Sequence, residues 1–189
     1  IKTAYFGKKS DNNEVIDCLE KYGVKYEKVD DDILFDRVSE KLVNGGVIGW
    51  FQGRAEFGPR ALGHRSIIVD PRRKDAKDLL NEKIKRRESF RPFAPSILEE
   101  YVEEYFVQND EVPFMEKVYD VKKEKHAEIP AVTHVDGTGR LQTVSKDSNP
   151  LYYDLINEFY KITKVPVIIN TSMNVMGEPI VNTPKQAYQ

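Results

Sequence analysis

Between the apolar run Val47-Ile48-Gly49-Trp50-Phe51 and the run Ser66-Ile67-Ile68-Val69-Asp70-Pro71, the chain reads GRAEFGPRALGHR, with three glycines, one proline and three arginines. Both flanking runs are short and rich in β-branched residues, so they read as buried strands, the second closed by its proline. A connection of this length with no helix or strand pattern of its own is uncommon inside a compact domain unless it has a task. Glycine lets backbone amides approach a ligand closely, and arginine presents a planar fork of donors that grips phosphate or carboxylate at two points. The stretch therefore reads as a loop built to hold an anion.

The remaining pattern interleaves helices and strands. Ser10 or Asp11 caps a helix with Val15, Ile16, Leu19 and Tyr22 on one face, stopped by Gly23. Val24 to Val29 reads as a short strand, and a second helix carries Leu34, Val38 and Leu42 up to Gly45-Gly46. Ala76, Leu80 and Ile84 stripe a third helix, which Pro92 and Pro95 forbid from continuing, and Ser96 to Leu98 starts another strand. Residues 99–128 are acidic, aromatic and poorly periodic. Ala131–Val135 and Leu141–Ser145 flank a glycine-rich turn and read as a hairpin; Pro150 opens a helix facing the core with Leu151, Leu155, Phe159 and Ile162; Val165–Asn170 is a last buried strand. Thr183, Pro184 and Gln186 spell a capping box at the start of a further helix. The fold class is α/β, a mixed sheet with covering helices. Residues 1–45 read as a helix-strand-helix segment leading into a domain over 46–189. A chain that opens at Ile1 and closes as a helix begins reads as a piece of a longer polypeptide, truncated at its C-terminal end.

Charge is uneven. From Arg54 to Arg91 there are twelve lysines and arginines against six acidic residues, in a chain whose total is -2. An anion is the natural partner of such a segment. Arg54, Arg60, Arg65, Lys85, Arg87 and Arg91 form the candidate polyanion site, against a plainer reading in which arginines brace the sheet through carboxylates such as Glu56 and Glu88. Asn170-Thr171-Ser172-Met173-Asn174 places short polar groups directly after a strand, where open α/β sheets bind ligands. The single Cys18 leaves no internal disulfide, and His64, His126 and His134 make no metal-ligand cluster with it, so no metal is expected. With no leader and no long apolar run, a cytoplasmic setting without membrane contact is the expectation.

Three stretches together carry a family likeness: Gly53-Arg54-Ala55-Glu56-Phe57-Gly58-Pro59-Arg60-Ala61-Leu62-Gly63-His64-Arg65-Ser66, then Arg87-Glu88-Ser89-Phe90-Arg91-Pro92-Phe93-Ala94-Pro95, then Asn170-Thr171-Ser172-Met173-Asn174 with Gly177-Glu178-Pro179-Ile180. They resemble the C-terminal domain of the nodulation-protein and antibiotic O-carbamoyltransferases. The resemblance implies a YrdC-like twisted mixed sheet that binds ATP, with Mg2+, and carbamoyl phosphate, and makes carbamoyl-adenylate. An N-terminal transferase domain of the actin-like ATPase class in the same polypeptide would then pass the carbamoyl group to an acceptor hydroxyl. By the same resemblance Lys85 and Arg91 are the expected catalytic residues, holding carbamoyl phosphate, while Arg60, Arg140 and Ser172 orient the triphosphate. Arg54, Arg65, Asn170 and Asn174 complete the expected binding set. Two other functions fit a basic cleft: an RNA-binding module, disfavoured by the near-neutral total charge, and a nucleotide sensor without catalysis.

Overall fold

The structure is a computed structural model and describes residues 3–189; the opening at Ile1 lies outside the described residues. In chain order the elements are α1 (Asn12–Lys21), α2 (Asp31–Val43), β1 (Ile48–Phe51), β2 (Arg65–Val69), α3 (Ala76–Leu79), β3 (Ala94–Leu98), α4 (Val102–Tyr105), β4 (Tyr119–Asp120), β5 (Thr138–Gly139), β6 (Gln142–Val144), α5 (Pro150–Thr163), β7 (Val167–Ser172) and α6 (Pro184–Tyr188). Among the described residues no helix is long and apolar enough to cross a membrane.

The main sheet runs β1-β2-β7-β3-β6, antiparallel throughout except for the parallel β3–β6 pair. Helices and loops cover both faces, which is why the stretches Ile67–Val69, Ile97–Leu98 and Val167–Ile169 of the central strands are continuously apolar rather than alternating. Ile68, Leu98 and Ile168 point to the face covered by α2 and α5, where they meet Phe35, Leu42, Leu155 and Phe159. Ile67, Val69, Ile97, Val167 and Ile169 point to the other face, against Leu80, Tyr105 and Phe106. Each fully buried branched side chain contributes about 1.5–3 kcal/mol, so the two layers together hold the sheet in register.

Local chemistry sets several boundaries as expected. The Asp11 carboxylate accepts the Glu14 N–H at 2.9 Å and opens α1. The capping box at Thr183 and Gln186 forms, with Pro184 in the first turn of α6. α3 continues as a π-helical turn over Leu80–Lys85 and ends on Arg86 in the left-handed region at φ 50.

Four expectations are corrected. Residues 24–29 form neither helix nor strand. The strand β1 is an edge, with only Trp50 buried. The hairpin does not form: β5 pairs with β4 instead, β6 joins β3 in the main sheet, and Ala131–His134 lies in turns tied by the Ala131 N–H to the Pro71 carbonyl at 3.1 Å. In α5 the buried face is Tyr152, Leu155, Ile156 and Phe159, while Leu151 and Ile162 are exposed. The face is turned because the buried Tyr152 hydroxyl donates to Ser96 Oγ at 3.1 Å, fixing the helix on β3.

The register brings the C-terminal end of β7 beside the starts of β2, β3 and β6, with Ser172 opposite Ser66, Asn170 opposite Ala94 and Ser96 opposite Gln142. The 53–64 loop closes over this junction. Gly63 adopts φ +102, and a Cβ there would stand 2.4 Å from Cδ1 of the buried Tyr152 ring. Gly58 has φ +135 with open space around it. Gly63→Ala is therefore expected to cost upwards of about 3 kcal/mol, and Gly58→Ala only the backbone cost of about 1–2 kcal/mol. Denaturant unfolding of the two variants measures the difference.

Candidate functional site

Three sets of polar contacts hold the loop. Glu56 Oε1 accepts the N–H groups of Leu62 at 2.6 Å, His64 at 2.8 Å and Arg65 at 3.3 Å, so one carboxylate gathers a whole turn of backbone. The Arg65 side chain is fully buried; its guanidinium donates to the carbonyls of Gln52, His64 and Gly53 and lies 3.6 Å over the Phe51 ring. The His64 ring stacks on Tyr5 with centroids 3.7 Å apart, and its Nδ1 meets the Arg54 carbonyl at 2.6 Å. Burial pushes the His64 pKa below its ordinary value, so the ring is neutral and donates that bond from Nδ1.

Beneath the loop runs a buried polar chain. Ser96 Oγ donates to Gln142 Oε1 at 2.7 Å, Gln142 Nε2 donates to the Leu62 carbonyl at 2.9 Å, and Asn170 Nδ2 donates to Gln142 Oε1 and the Ala61 carbonyl. These bonds tie the loop to β3, β6 and β7 and fix the direction in which Arg60, its neighbour Ala61 being anchored, leaves the surface. Buried networks of this kind rigidify only when satisfied; here Asn170 Oδ1 alone stays unpartnered.

A cleft of about 80 Å³ opens beside this junction, lined by Arg60, Arg87, Arg140, Phe93, Thr171 and Ser172 among others. None of the three arginines is among the ion pairs of the described residues. Arg87 is aimed by its Nε bond to Asn81 Oδ1 at 2.8 Å and by the Phe93 ring 4.8 Å from its guanidinium carbon. Arg140 Nε is buried without a partner. Burial first, and then the charges of Arg60 and Arg87, hold the Arg140 pKa below its ordinary value, yet an arginine so shifted stays charged. Three like charges gathered without a carboxylate among the described residues give the cleft a positive wall.

Beside the cleft sits Lys85, only 3% exposed. Its Nζ donates to the Ser172 carbonyl, to Ser172 Oγ at 3.1 Å, to the Asn174 carbonyl at 3.1 Å and to Asn174 Oδ1 at 2.8 Å. The π-helical turn places Lys85 where it pins the end of β7. Burial, and next the charge of Arg87, lower its pKa to about 8.

Against this geometry, the family described as "Carbamoyltransferase C-terminus" matches residues 39–189. The chain belongs to this family. The carbamoyltransferase C-terminal domain described here is 52% identical over 159 residues to nodulation protein NolO of Bradyrhizobium diazoefficiens, covering 82% of the chain and 29% of NolO. It is 41% identical over 147 residues to the 3'-hydroxymethylcephem-O-carbamoyltransferase of Amycolatopsis lactamdurans, covering 78% of the chain and 28% of that enzyme. An uncharacterised Synechocystis protein, sll1178, is 44% identical over 98% of the chain and 34% of its own length. The chain thus spans about a quarter to a third of these relatives. Full-length HypF, crystallised in a phosphate- and nucleotide-bound form, superposes at a TM-score of 0.57 and 21% identity over 81% of this chain and 22% of that one. The fold is YrdC-like.

In this carbamoyltransferase domain, the residues singled out from sequence are not all brought together. Arg60, Arg140, Ser172 and Asn170 line the cleft, and Asn174 Oδ1 accepts the Ser172 hydroxyl at 2.6 Å as well as Lys85 Nζ. Arg65 is turned inward onto carbonyls, and Arg54 is exposed with its guanidinium on the Gly7 carbonyl at 3.1 Å. Arg91 is half-exposed and paired with Glu88 at 2.9 Å, one residue before the cleft-lining Pro92. Arg87, one of the six cations of the candidate polyanion set, supplies the third arginine of the cleft. Thr171, from the polar cluster at the end of β7, lines it as well, and Met115 does so without a sequence signal.

An anion in the cleft stabilises the ammonium form of Lys85 and returns its pKa from about 8 toward the ordinary lysine value. Sulfate binding at pH 8 should therefore take up as much as roughly half a proton, and at pH 6, where Lys85 is already charged, none. Calorimetry in buffers of different ionisation enthalpy measures the uptake, and Lys85→Met should abolish it.

Proposed function

We propose that this domain binds ATP and carbamoyl phosphate and forms carbamoyl-adenylate, which the rest of a longer polypeptide uses to carbamoylate an acceptor hydroxyl. The observation that carries the proposal is the cleft itself: three guanidinium groups, none of them paired with a carboxylate, converge at the end of a central strand in a member of the carbamoyltransferase C-terminal family.

Such a cleft suits the reaction. Water attacks carbamoyl phosphate and its bridging bond breaks, giving carbamate and phosphate, and the carbamate then attacks the α-phosphorus of ATP through one of its oxygens. The bond from the α-phosphorus to the bridging oxygen breaks, and pyrophosphate leaves with the electron pair. Both reactants are anions, so the protein's work is to offset their repulsion with fixed positive groups and to hold them in line. Arg60, Arg87 and Arg140 receive phosphate oxygens in this scheme. Arg91 at the rim holds carbamoyl phosphate by exchanging its exposed pair with Glu88, a pair worth little in water.

Lys85 acts at one remove. Its four oxygen contacts orient the Ser172 hydroxyl and the Asn174 side chain, so its charge reaches the substrates through a fixed turn. Magnesium enters on the nucleotide's own phosphates: among the described residues no three His, Cys, Asp or Glu side chains gather as metal ligands, and the cleft wall is cationic.

Removing one fork of charge-assisted hydrogen bonds costs about 1.5–3 kcal/mol, or roughly tenfold to a hundredfold in affinity. Arg60→Ala and Arg140→Ala should each weaken ATP binding by that factor in calorimetric titrations, while thermal stability holds or rises as like-charge repulsion is relieved. Unchanged binding in both variants would remove the cleft from the function.

A further inference from the structure

Residues 4–10, which precede the family match at residue 39, run antiparallel to the first arm of the arginine loop. The Phe57 N–H donates to the Ala4 carbonyl at 2.7 Å, the Gly7 N–H to Ala55 at 2.9 Å, the Ala55 N–H to Lys8 at 2.9 Å and the Ser10 N–H to Gly53 at 3.2 Å. A Cβ on Gly7 would stand 2.8 Å from the Ala55 carbonyl oxygen, so the two backbones are in direct contact. Backbone pairing of this kind fixes the arm without contributing anything to the cleft itself.

Tyr5 is where the segment meets the second arm of the loop. Its ring lies on His64, 5° from parallel and with centroids 3.7 Å apart. Its hydroxyl donates to the Leu62 carbonyl at 2.9 Å and accepts Asn149 Nδ2 at 2.9 Å. Burial, and next the Glu56 charge, push the Tyr5 pKa up, so the hydroxyl keeps its proton and donates. Leu62 and His64 flank Gly63 and its turn at φ +102, directly after Arg60. Tyr5 thus grips the loop on both sides of that turn, while the Arg60 side chain is exposed and takes its direction from the backbone that carries it.

We infer that Tyr5 is a positioning residue for Arg60: its ring, stacked on His64, holds the loop in the shape that points the Arg60 fork at an anion in the cleft, an inference that rests on the cleft being the phosphate site proposed above. The ring matters more than the hydroxyl. Without the hydroxyl, Gln142 Nε2 at 2.9 Å and Asn149 Nδ2 at 3.4 Å still reach the Leu62 carbonyl, and Asn149 stays anchored by Gln52 Nε2 at 3.0 Å. Without the ring, no other aromatic side chain among the described residues stacks on His64. Water then reaches an imidazole whose other neighbours are the Arg54 carbonyl, the charges of Glu56 and Arg65, and Asn149. The desolvation that holds its pKa down is lifted.

The test is a double-mutant cycle on the chain, read by calorimetric titration with inorganic tripolyphosphate and with ATP, both with magnesium. Tyr5→Leu should weaken both ligands by about threefold to tenfold, the worth of one aromatic stack, and Tyr5→Phe by less than about twofold. In an Arg60→Ala background Tyr5→Leu should cost nearly nothing more, because a residue that acts through Arg60 has nothing left to position. Gly7→Val, which forces the segment off Ala55 and leaves the Tyr5 ring intact, should give the same loss and the same non-additivity, and it carries the test if Tyr5→Leu does not fold. The imidazole signals of His64 should titrate nearer the ordinary histidine value in Tyr5→Leu and stay low in Tyr5→Phe. An equal loss with and without Arg60 makes Tyr5 a general support and overturns the inference, as does full affinity in Tyr5→Leu or an unmoved His64 titration. If tripolyphosphate shows the coupling and ATP does not bind, the positioning role stands while the nucleotide reading falls; if neither binds, the cleft is not a phosphate site and both fall.

Discussion

Everything at the proposed site depends on Glu56 being spent on backbone amides. A carboxylate within a loop that holds three arginines would ordinarily pair with one of them and quench the charge. Here its Oε1 is committed to the N–H groups of Leu62, His64 and Arg65. Arg65 in turn is committed to three carbonyls, so its charge is directed into the scaffold. With donor and acceptor both used to shape the loop, Arg60 is left projecting from a rigid turn, and the cleft keeps its positive charge. The repulsion among Arg60, Arg87 and Arg140 is a cost the fold carries for binding, offset by the two apolar layers around the sheet.

The same division of labour separates Lys85 from the arginines. A guanidinium fork at a surface cleft can meet phosphate in a plane, whereas a buried ammonium is a point charge that must be surrounded by oxygens. Lys85 has those oxygens from Ser172 and Asn174, which converts its charge into a fixed geometry at the end of β7. Removing it would leave several buried acceptors unpaired. This is a heavier structural loss than removing an arginine whose fork faces solvent, so the two kinds of substitution separate positioning from contact.

What the sequence shows and what it hides divide along the range of the interactions involved. The cap at Asp11, the capping box at Thr183 and the stop at Gly45 are settled within a few residues and are legible. The partner of β6 is not: Gln142 joins β3 because its amide is needed beneath the loop, and no local pattern says so. The direction of α5 is set by a hydroxyl bond from Tyr152 to Ser96, which rotates the buried face away from the Leu151 and Ile162 positions. Among the loop's arginines, composition cannot tell the inward Arg65 from the outward Arg60, since the difference lies in carbonyls brought up by distant strands. Arg140 had only a family likeness to recommend it, and Arg87 was one of six candidate cations that charge alone could not rank.

The glycines of the loop show how such a site is kept open. Gly63 is required twice, by its left-handed backbone and by the Tyr152 ring against which it lies, so it fixes the loop to the core at the point where the polar chain also ends. Gly58, with nothing near its missing side chain, has a different use: it turns the chain outward so that Pro59 and Arg60 form a ridge at the wall of the cleft. A loop hinged only at Gly63 would be rigid and closed; one turned only at Gly58 would be open and loose. Because one glycine is packed and the other is free, the loop is fixed to the core at one end while Arg60 stands clear beside the charged cleft.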